Sequence, residues 1–310
     1  MTAGGWSSGG RHDGDFVPPD GSPFALCLTH DVDRPYKRAV HSLYYALAER
    51  SLEHLRGVDP RHNPYWQFDE IASIERARGV RSAFYFLDEP HVRRKGTRAL
   101  ASPRTWIEQA GRYDVTDPAV ADVVRRLDAD GWEVGLHGSL AAAGDPRRLA
   151  EEKSVLEGVL GDEVIGCRQH RLRLDAPDTW VDQRGVGFRY DTTLGSGTET
   201  GFRHGYGPIR PFDDEFVVFP LTVMEQALPD PGRKPDAAWE VCRKLLAEAA
   251  ANGAVMTVLW HPRCFSEPDF PGYRDLYERL LDEALSMGAW VGPPGDLYEY
   301  QRREPTVPAP

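Results

Sequence analysis

The sequence is short of the features that mark several large protein classes. It has 4 cysteines in 310 residues, at positions 27, 167, 242 and 264. None shows the close pairing of a metal knuckle or a disulfide framework, so reduced, buried thiols are expected. No apolar run reaches the roughly 18 residues of a membrane-spanning helix, and the best of them, Ala254 to Trp260, has the length of a buried strand. The opening residues lack the basic start and apolar stretch of a secretory signal, which leads to the expectation of a cytoplasmic protein. Lysine is scarce, confined to positions 37, 95, 153, 234 and 244, so arginine carries nearly all the positive charge. Acidic residues outnumber basic ones 48 to 37, and a net charge of -11 repels phosphate backbones and anionic bilayers. Neither nucleic acid binding nor membrane insertion is expected.

What is present fits a soluble core-forming chain. Hydrophobic residues make up 41% and charged residues 27% of the whole, enough for one sizeable core. We read a single domain over residues 22–301 between polar, Gly- or Pro-rich tails at 1–21 and 302–310. Strand-like runs fall at Phe24–His30, Val80–Leu87, Trp132–His137, Val164–His170, Phe188–Thr192, Phe216–Glu225, Ala254–Trp260 and Ala289–Gly292. Helical patterns lie at Tyr36–Leu55, Pro118–Ala129, Pro146–Leu160, Pro177–Arg184, Ala237–Ala251 and Tyr273–Met287. Alternation of this kind predicts βα units feeding a parallel sheet or barrel. The connection from Asp88 to Asp117 is long and rich in arginine, the pattern of a lid or of a variable insertion.

The chemistry-bearing residues collect where the strands end. Strand one closes on His30-Asp31-Val32-Asp33, strand three on His137, strand four on Arg168-Gln169-His170, strand five on Asp191 and strand seven on His261. In parallel α/β folds the carboxyl ends of strands share one crevice, so residues distant in sequence converge there. One His or Asp at a strand end is ordinarily a cap or turn residue; several on one edge are better explained by a site. Two carboxylates with two or three imidazoles suit zinc, or manganese, cobalt or iron, with positions open to water. Asp31 and Asp33 alternate and so lie on the same side of an extended chain, which a helix cap would not require.

Five segments also resemble the ordered motifs of the polysaccharide deacetylase family, which has a NodB-like homology domain. They are Leu-Thr-His-Asp-Val-Asp (28–33), Glu-Val-Gly-Leu-His-Gly-Ser (133–139), Gly-Cys-Arg-Gln-His (166–170), Phe-Arg-Tyr-Asp-Thr-Thr (188–193) and Val-Leu-Trp-His-Pro (258–262). The resemblance implies an α/β fold built as a single distorted (β/α) barrel of about seven parallel strands. It implies hydrolysis of a carbon-nitrogen bond outside peptides, as in removing the acetyl group from an N-acetylated amino sugar or glycan around one divalent ion. Carried over by position, it makes Asp31 the general base, Asp33 and His137 metal ligands, and His261 the acid that protonates the departing amine. Arg168 would orient Asp31, and Asp191 would brace Arg168 or the acid histidine.

The sequence departs from that family at one ligand. Where a second histidine usually follows four residues after the first, this chain has Ala141. His170, on the neighbouring loop, is expected to replace it; the alternative is a hydrogen bond to a loop carbonyl. His30 is expected to point away from Asp31, and Cys264 to be packing. Glu225 and Trp260 are read as structural, and the Phe202–Gly207 segment as groove lining or plain surface. Hydrolysis of a small amide, imide or ureide by the same machinery, and an inactive glycan binder, are the competing readings. The oligomeric state stays open.

Overall fold

The computed structural model describes residues 11–12, 16–37, 63–89, 112–212 and 214–303. The strands are β1 Arg11–His12, β2 Ala25–Val32, β3 Ala83–Leu87, β4 Glu133–Gly138, β5 Gly166–Gln169, β6 Tyr190–Asp191, β7 Ile209–Arg210, β8 Val217–Val218, β9 Leu221–Met224, β10 Val255–Leu259 and β11 Trp290–Gly292. They form one curled sheet in the order β1-β7-β8-β6-β5-β4-β3-β2-β10-β9, with β11 also paired to β2. All pairings are parallel except β1 with β7 and β7 with β8. The helices are α1 Phe68–Ala77, α2 Pro118–Ala129, α3 Pro146–Leu160, α4 Asp178–Val186, α5 Pro235–Asn252, α6 Tyr273–Ser286 and α7 Pro294–Arg303. This is the α/β barrel expected from the strand-helix alternation.

Local chemistry explains the helix starts. Asp117 accepts the Ala119 N–H ahead of α2, and Asp145 accepts those of Arg147 and Arg148 ahead of α3, with Pro at the first position of each. These contacts satisfy backbone donors that have no partner within the helix.

Several expectations need adjustment. The run at 216–225 is two strands, β8 and β9. The strand expected through His170 stops at Gln169, and His170 opens a 3-10 turn instead. Helices α1 and α7 had no counterpart in the sequence reading; α7 continues to Arg303, and Arg11–His12 pairs with Ile209–Arg210 inside the stretch read as a tail. Most of the helix read at Tyr36–Leu55 and most of the Asp88–Asp117 connection lie outside the described residues.

The two-residue period of the strands decides which side chains reach the site. On β2, Ala25 and Cys27 face the barrel interior, while Leu26, Leu28 and Val32 pack outward against the helices. Thr29 and Asp31 share the interior parity, and His30 the outer one. In register, Leu87 of β3 lies beside His137 of β4, and His137 lies beside Arg168 of β5. Gly135 has no side chain because Tyr85 fills the interior there: a Cβ would stand 2.2 Å from the Tyr85 ring. Leu297 and Tyr298 of α7 belong to the same interior cluster.

At the other end of β4, Glu133 accepts hydrogen bonds from Tyr190 Oη and, at 2.8 Å, from Gly295 N–H. Burial outweighs both and pushes its carboxyl up from 4.5 to about 7. The folded protein therefore holds a proton that the unfolded chain releases near pH 4.5. Stability is expected to fall as pH rises from about 4.5 to about 7, by up to about 3 kcal/mol, and to stay flat above. Urea unfolding at several pH values measures the slope, which Glu133→Gln should remove; an unchanged slope in the variant would assign it to other groups.

Candidate active site at the carboxyl ends of the strands

Asp31, Asp33, His137, His170 and His261 line one cavity of about 260 Å³. Asp33 sits at its centre, one residue beyond β2. His137 Nδ1 lies 3.0 Å from the Arg168 carbonyl. A carbonyl can only accept, so Nδ1 donates, and Nε2 is left facing the carboxylates. That Nε2 is 3.2 Å from Asp33 Oδ1 and 3.7 Å from Asp31 Oδ2. His170 Nε2 is 3.6 Å from the same Asp33 Oδ1. Asp33 Oδ1 is buried and accepts no hydrogen bond among the described residues.

An orphaned carboxylate oxygen facing two imidazole nitrogens is an arrangement that a cation completes. Candidate ligand atoms of Asp33, His137 and His170 all lie within 4.8 Å of one another. One carboxylate and two imidazoles fit a divalent ion with open positions for water. His170 stands beside Asp33, and Ala141 lies exposed in the turn after β4.

The electrostatics agree with the geometry. Burial penalises the Asp33 carboxylate, but the charge of His170 together with His137 and His261 holds it well below its ordinary range. Burial lowers His137, yet Asp31 and Asp33 outweigh it and raise the ring. His170 goes the other way, since its burial outweighs the pull of Asp33.

Asp31 is held from beneath. Arg168, fully buried, donates Nη1 to Asp31 Oδ1 and to Thr29 Oγ1, both at 2.8 Å, and Nε to the Thr192 carbonyl at 3.0 Å. Burial raises Asp31, but Arg168, then His137 and His261, outweigh it and keep the carboxyl below its usual range. It is ionised at neutral pH.

His261 follows β10 and turns into the cavity from the opposite wall. Its Nδ1 is 2.6 Å from Glu225 Oε1, and its Nε2 is 3.3 Å from Asp33 Oδ2. Burial and Arg263 pull its pKa down, but Glu225 and Asp33 win and push it up to about 9. Glu225, fully buried just beyond β9, was set aside in the sequence reading. Its signal was a strand-ending acid like the others. What hid it is that β9 pairs with β10 only in the tertiary structure, with Met224 beside Leu259 at the end that leads to Glu225.

Among the described residues Asp191 makes no direct hydrogen bond to Arg168 or His261. It accepts from Trp180 Nε1 at 3.1 Å, Gln183 Nε2 at 2.8 Å, Thr193 N–H at 2.9 Å and Thr193 Oγ1. Thr193 Oγ1 in turn accepts the Gln169 N–H, so Asp191 pins the chain segment whose Thr192 carbonyl holds Arg168. The carboxylate behind the histidine is Glu225. His30 points out of the cavity, as expected, and buried Cys264 lies 3.5 Å from Glu225 Oε1. Leu87, Leu140, Leu172 and Met224 are the apolar lining, and among the described residues no Phe, Tyr or Trp lines the cavity.

No protein-family model matches this sequence, and no curated protein does. Among solved structures, the chain is similar to a protein from Mycobacterium smegmatis described as a polysaccharide deacetylase, with a TM-score of 0.59 and 20% identity over 95% of this chain and 98% of that one. It is similar to the Puue allantoinase, with a TM-score of 0.59 and 15% identity over 99% and 98% of the two chains. A protein from Pseudomonas aeruginosa PAO1, described as a polysaccharide deacetylase, gives 0.58 and 14% over 99% of each. The chain has the distorted (β/α) barrel fold of these proteins over nearly its whole length. Among the described residues no helix is long and apolar enough to cross a membrane.

Proposed function

We propose that this chain is a metal-dependent hydrolase of non-peptide carbon-nitrogen bonds that removes an acetyl group from an N-acetylated amino sugar or glycan precursor. The observation that carries the reading is Asp33 Oδ1, orphaned between His137 and His170, with the Arg168-held Asp31 on one side and the Glu225-held His261 on the other. Asp33, His137 and His170 would hold the divalent ion, for which zinc suits the donors best. Bound there, it would supply Lewis acidity toward water and the acyl carbonyl. Asp31 takes the proton from the attacking water, since Arg168 keeps it ionised and fixes its orientation. His261 delivers a proton from Nε2 to the departing amine nitrogen, and Glu225 keeps Nδ1 donating so that Nε2 faces the substrate. A binder without activity would have no use for an acid and a base on opposite walls.

Metal content tests the reading first. Purified protein should bind one equivalent of zinc. Because loss of a residue that merely supports a ligand costs about 10–100-fold in metal affinity, His137→Ala and His170→Ala should each cost at least that. Native affinity in His170→Ala would return His170 to a loop role. Glu225→Gln should leave metal affinity unchanged and lower kcat for acetate release roughly 10²-fold or more, because the acid loses its orienting charge. An unchanged kcat would remove His261 from the proton path.

The small size of the cavity and the lack of aromatic lining among the described residues favour a second reading, hydrolysis of a small amide or ureide. Parallel assays of acetate release and of ureide ring opening separate the two.

A further inference from the structure

Among the described residues, arginines outnumber carboxylates in the cavity wall. In a protein of net charge -11, four arginines, Arg34, Arg112, Arg171 and Arg263, line this one site. Among the described residues three carboxylates, Asp31, Asp33 and Glu89, line the cavity with them. Two of those are committed, Asp31 to Arg168 from below and Asp33 to the ligand cluster. A divalent ion there would widen the positive excess. Hydrolysis of an acetamide by base, acid and cation requires none of these four arginines, so their accumulation needs another reason.

Arg112, Arg171 and Arg263 each engage a partner, and Arg34 differs from them. Arg263 Nη1 reaches Asp33 Oδ2 at 3.3 Å, and Arg112 Nε donates to the Glu89 carbonyl at 2.5 Å. Arg34, directly after Asp33, makes no hydrogen bond or ion pair among the described residues. Arg171 directly follows His170 in the 3-10 turn, where it and Leu172 both take left-handed backbone conformations, φ 59 and 51. Such conformations are strained in non-glycine residues and persist where surrounding structure demands them. This turn sets His170 against Asp33 and Arg171 on the cavity wall. Each guanidinium presents a planar donor fork suited to carboxylate or phosphate oxygens. Concave sites lined by one sign of charge also concentrate ligands of the other sign.

We propose that the substrate carries an oxyanion, a phosphate or a carboxylate, on the same sugar-sized unit as the acylated nitrogen, and that Arg34 and Arg171 bind it. This rests on the hydrolase reading above. The cavity of about 260 Å³ matches one ring with its substituents better than a stretch of neutral polymer.

Two measurements on the full chain test it. In the first, zinc-loaded protein is assayed for acetate release from N-acetylglucosamine, its 1- and 6-phosphates and N-acetylmuramic acid. In the second, binding of inorganic phosphate to the metal-free protein is titrated, so that binding at zinc cannot contribute. The expected result is a KM for at least one anionic substrate about tenfold or more below that of N-acetylglucosamine, a gap that shrinks as salt rises. Which anionic substrate leads separates phosphate from carboxylate. Arg34→Ala/Arg171→Ala should close the gap and weaken phosphate binding about tenfold, while Arg34→Lys/Arg171→Lys should restore part of each. Thermal melts of both variants verify the fold. Equal KM values for neutral and anionic substrates, with phosphate binding insensitive to the double variant, overturn the proposal and leave the deacetylase reading standing. Arginine-dependent phosphate binding without acetate release from any substrate keeps the anion site and overturns the deacetylase reading.

Discussion

Asp31→Asn in the metal-loaded protein is expected to lower kcat for acetate release by roughly 10²–10⁴-fold, the range that a positioned general base contributes. The substitution keeps the shape and the hydrogen bond from Arg168 Nη1 at Oδ1, but removes the charge that accepts a proton. Metal affinity should change little, because Asp31 is outside the Asp33, His137 and His170 cluster. The pH profile provides an independent sign. Asp31 is held below the ordinary carboxylate range, so native activity should fall on the acid side only as pH drops through that lowered value. In the variant that limb should vanish from whatever rate remains. Full metal occupancy with kcat within threefold of native would exclude Asp31 as the base.

The largest loss of stability is expected behind the site, at Glu75. This carboxylate, fully buried in α1, accepts from His30 Nε2 at 2.9 Å, Ser82 Oγ at 2.8 Å, Trp132 Nε1 at 2.6 Å and Tyr277 Oη at 2.7 Å. His30 Nδ1 lies 2.6 Å from the Trp260 carbonyl. Both ring nitrogens of His30 therefore face acceptors, and the ring ties the strand bearing Asp31 to the strand that precedes His261. Glu75→Leu removes the acceptor and strands four buried donors. The cost should be about 3–5 kcal/mol, as for other buried pairs broken from one side. Denaturant unfolding at fixed pH measures it. Glu75→Gln, which keeps an acceptor oxygen, should lose less. A loss below about 1 kcal/mol in Glu75→Leu would mean that the donors find other partners or water.

These two predictions mark different depths of legibility. Asp31, Asp33, His137, Arg168 and His261 could be read from the chain because each closes an apolar strand and falls in an ordered motif. The parity of β2 then separated inward Asp31 from outward His30 without any coordinates. His170 was legible for a different reason: the absence of a histidine at 141 left a ligand missing, and a strand-ending imidazole nearby was available. The structure brings His170 beside Asp33 by a left-handed turn that no pattern announces.

Glu225 and Asp191 show where the reading ran out. Both are strand-ending acids, and sequence offers no way to rank them. Which one meets His261 depends on sheet order, and β9 rather than β6 lies beside β10. The same holds for α1: its short amphipathic pattern passed unnoticed, yet it supplies the Glu75 acceptor on which the outer layer converges.

The sequence by itself determined the alternation of strands and helices, the parity that turns carboxylates and imidazoles inward, and the collection of those groups at one edge. These follow from local periodicity, which a chain carries in every short window. Only the tertiary structure decided which carboxylate supports which histidine, that Asp33 Oδ1 is left unpaired among imidazoles, and that four scattered arginines share one cavity. Such facts depend on strand neighbours and on the removal of water from particular atoms, and both are set when distant segments pack together.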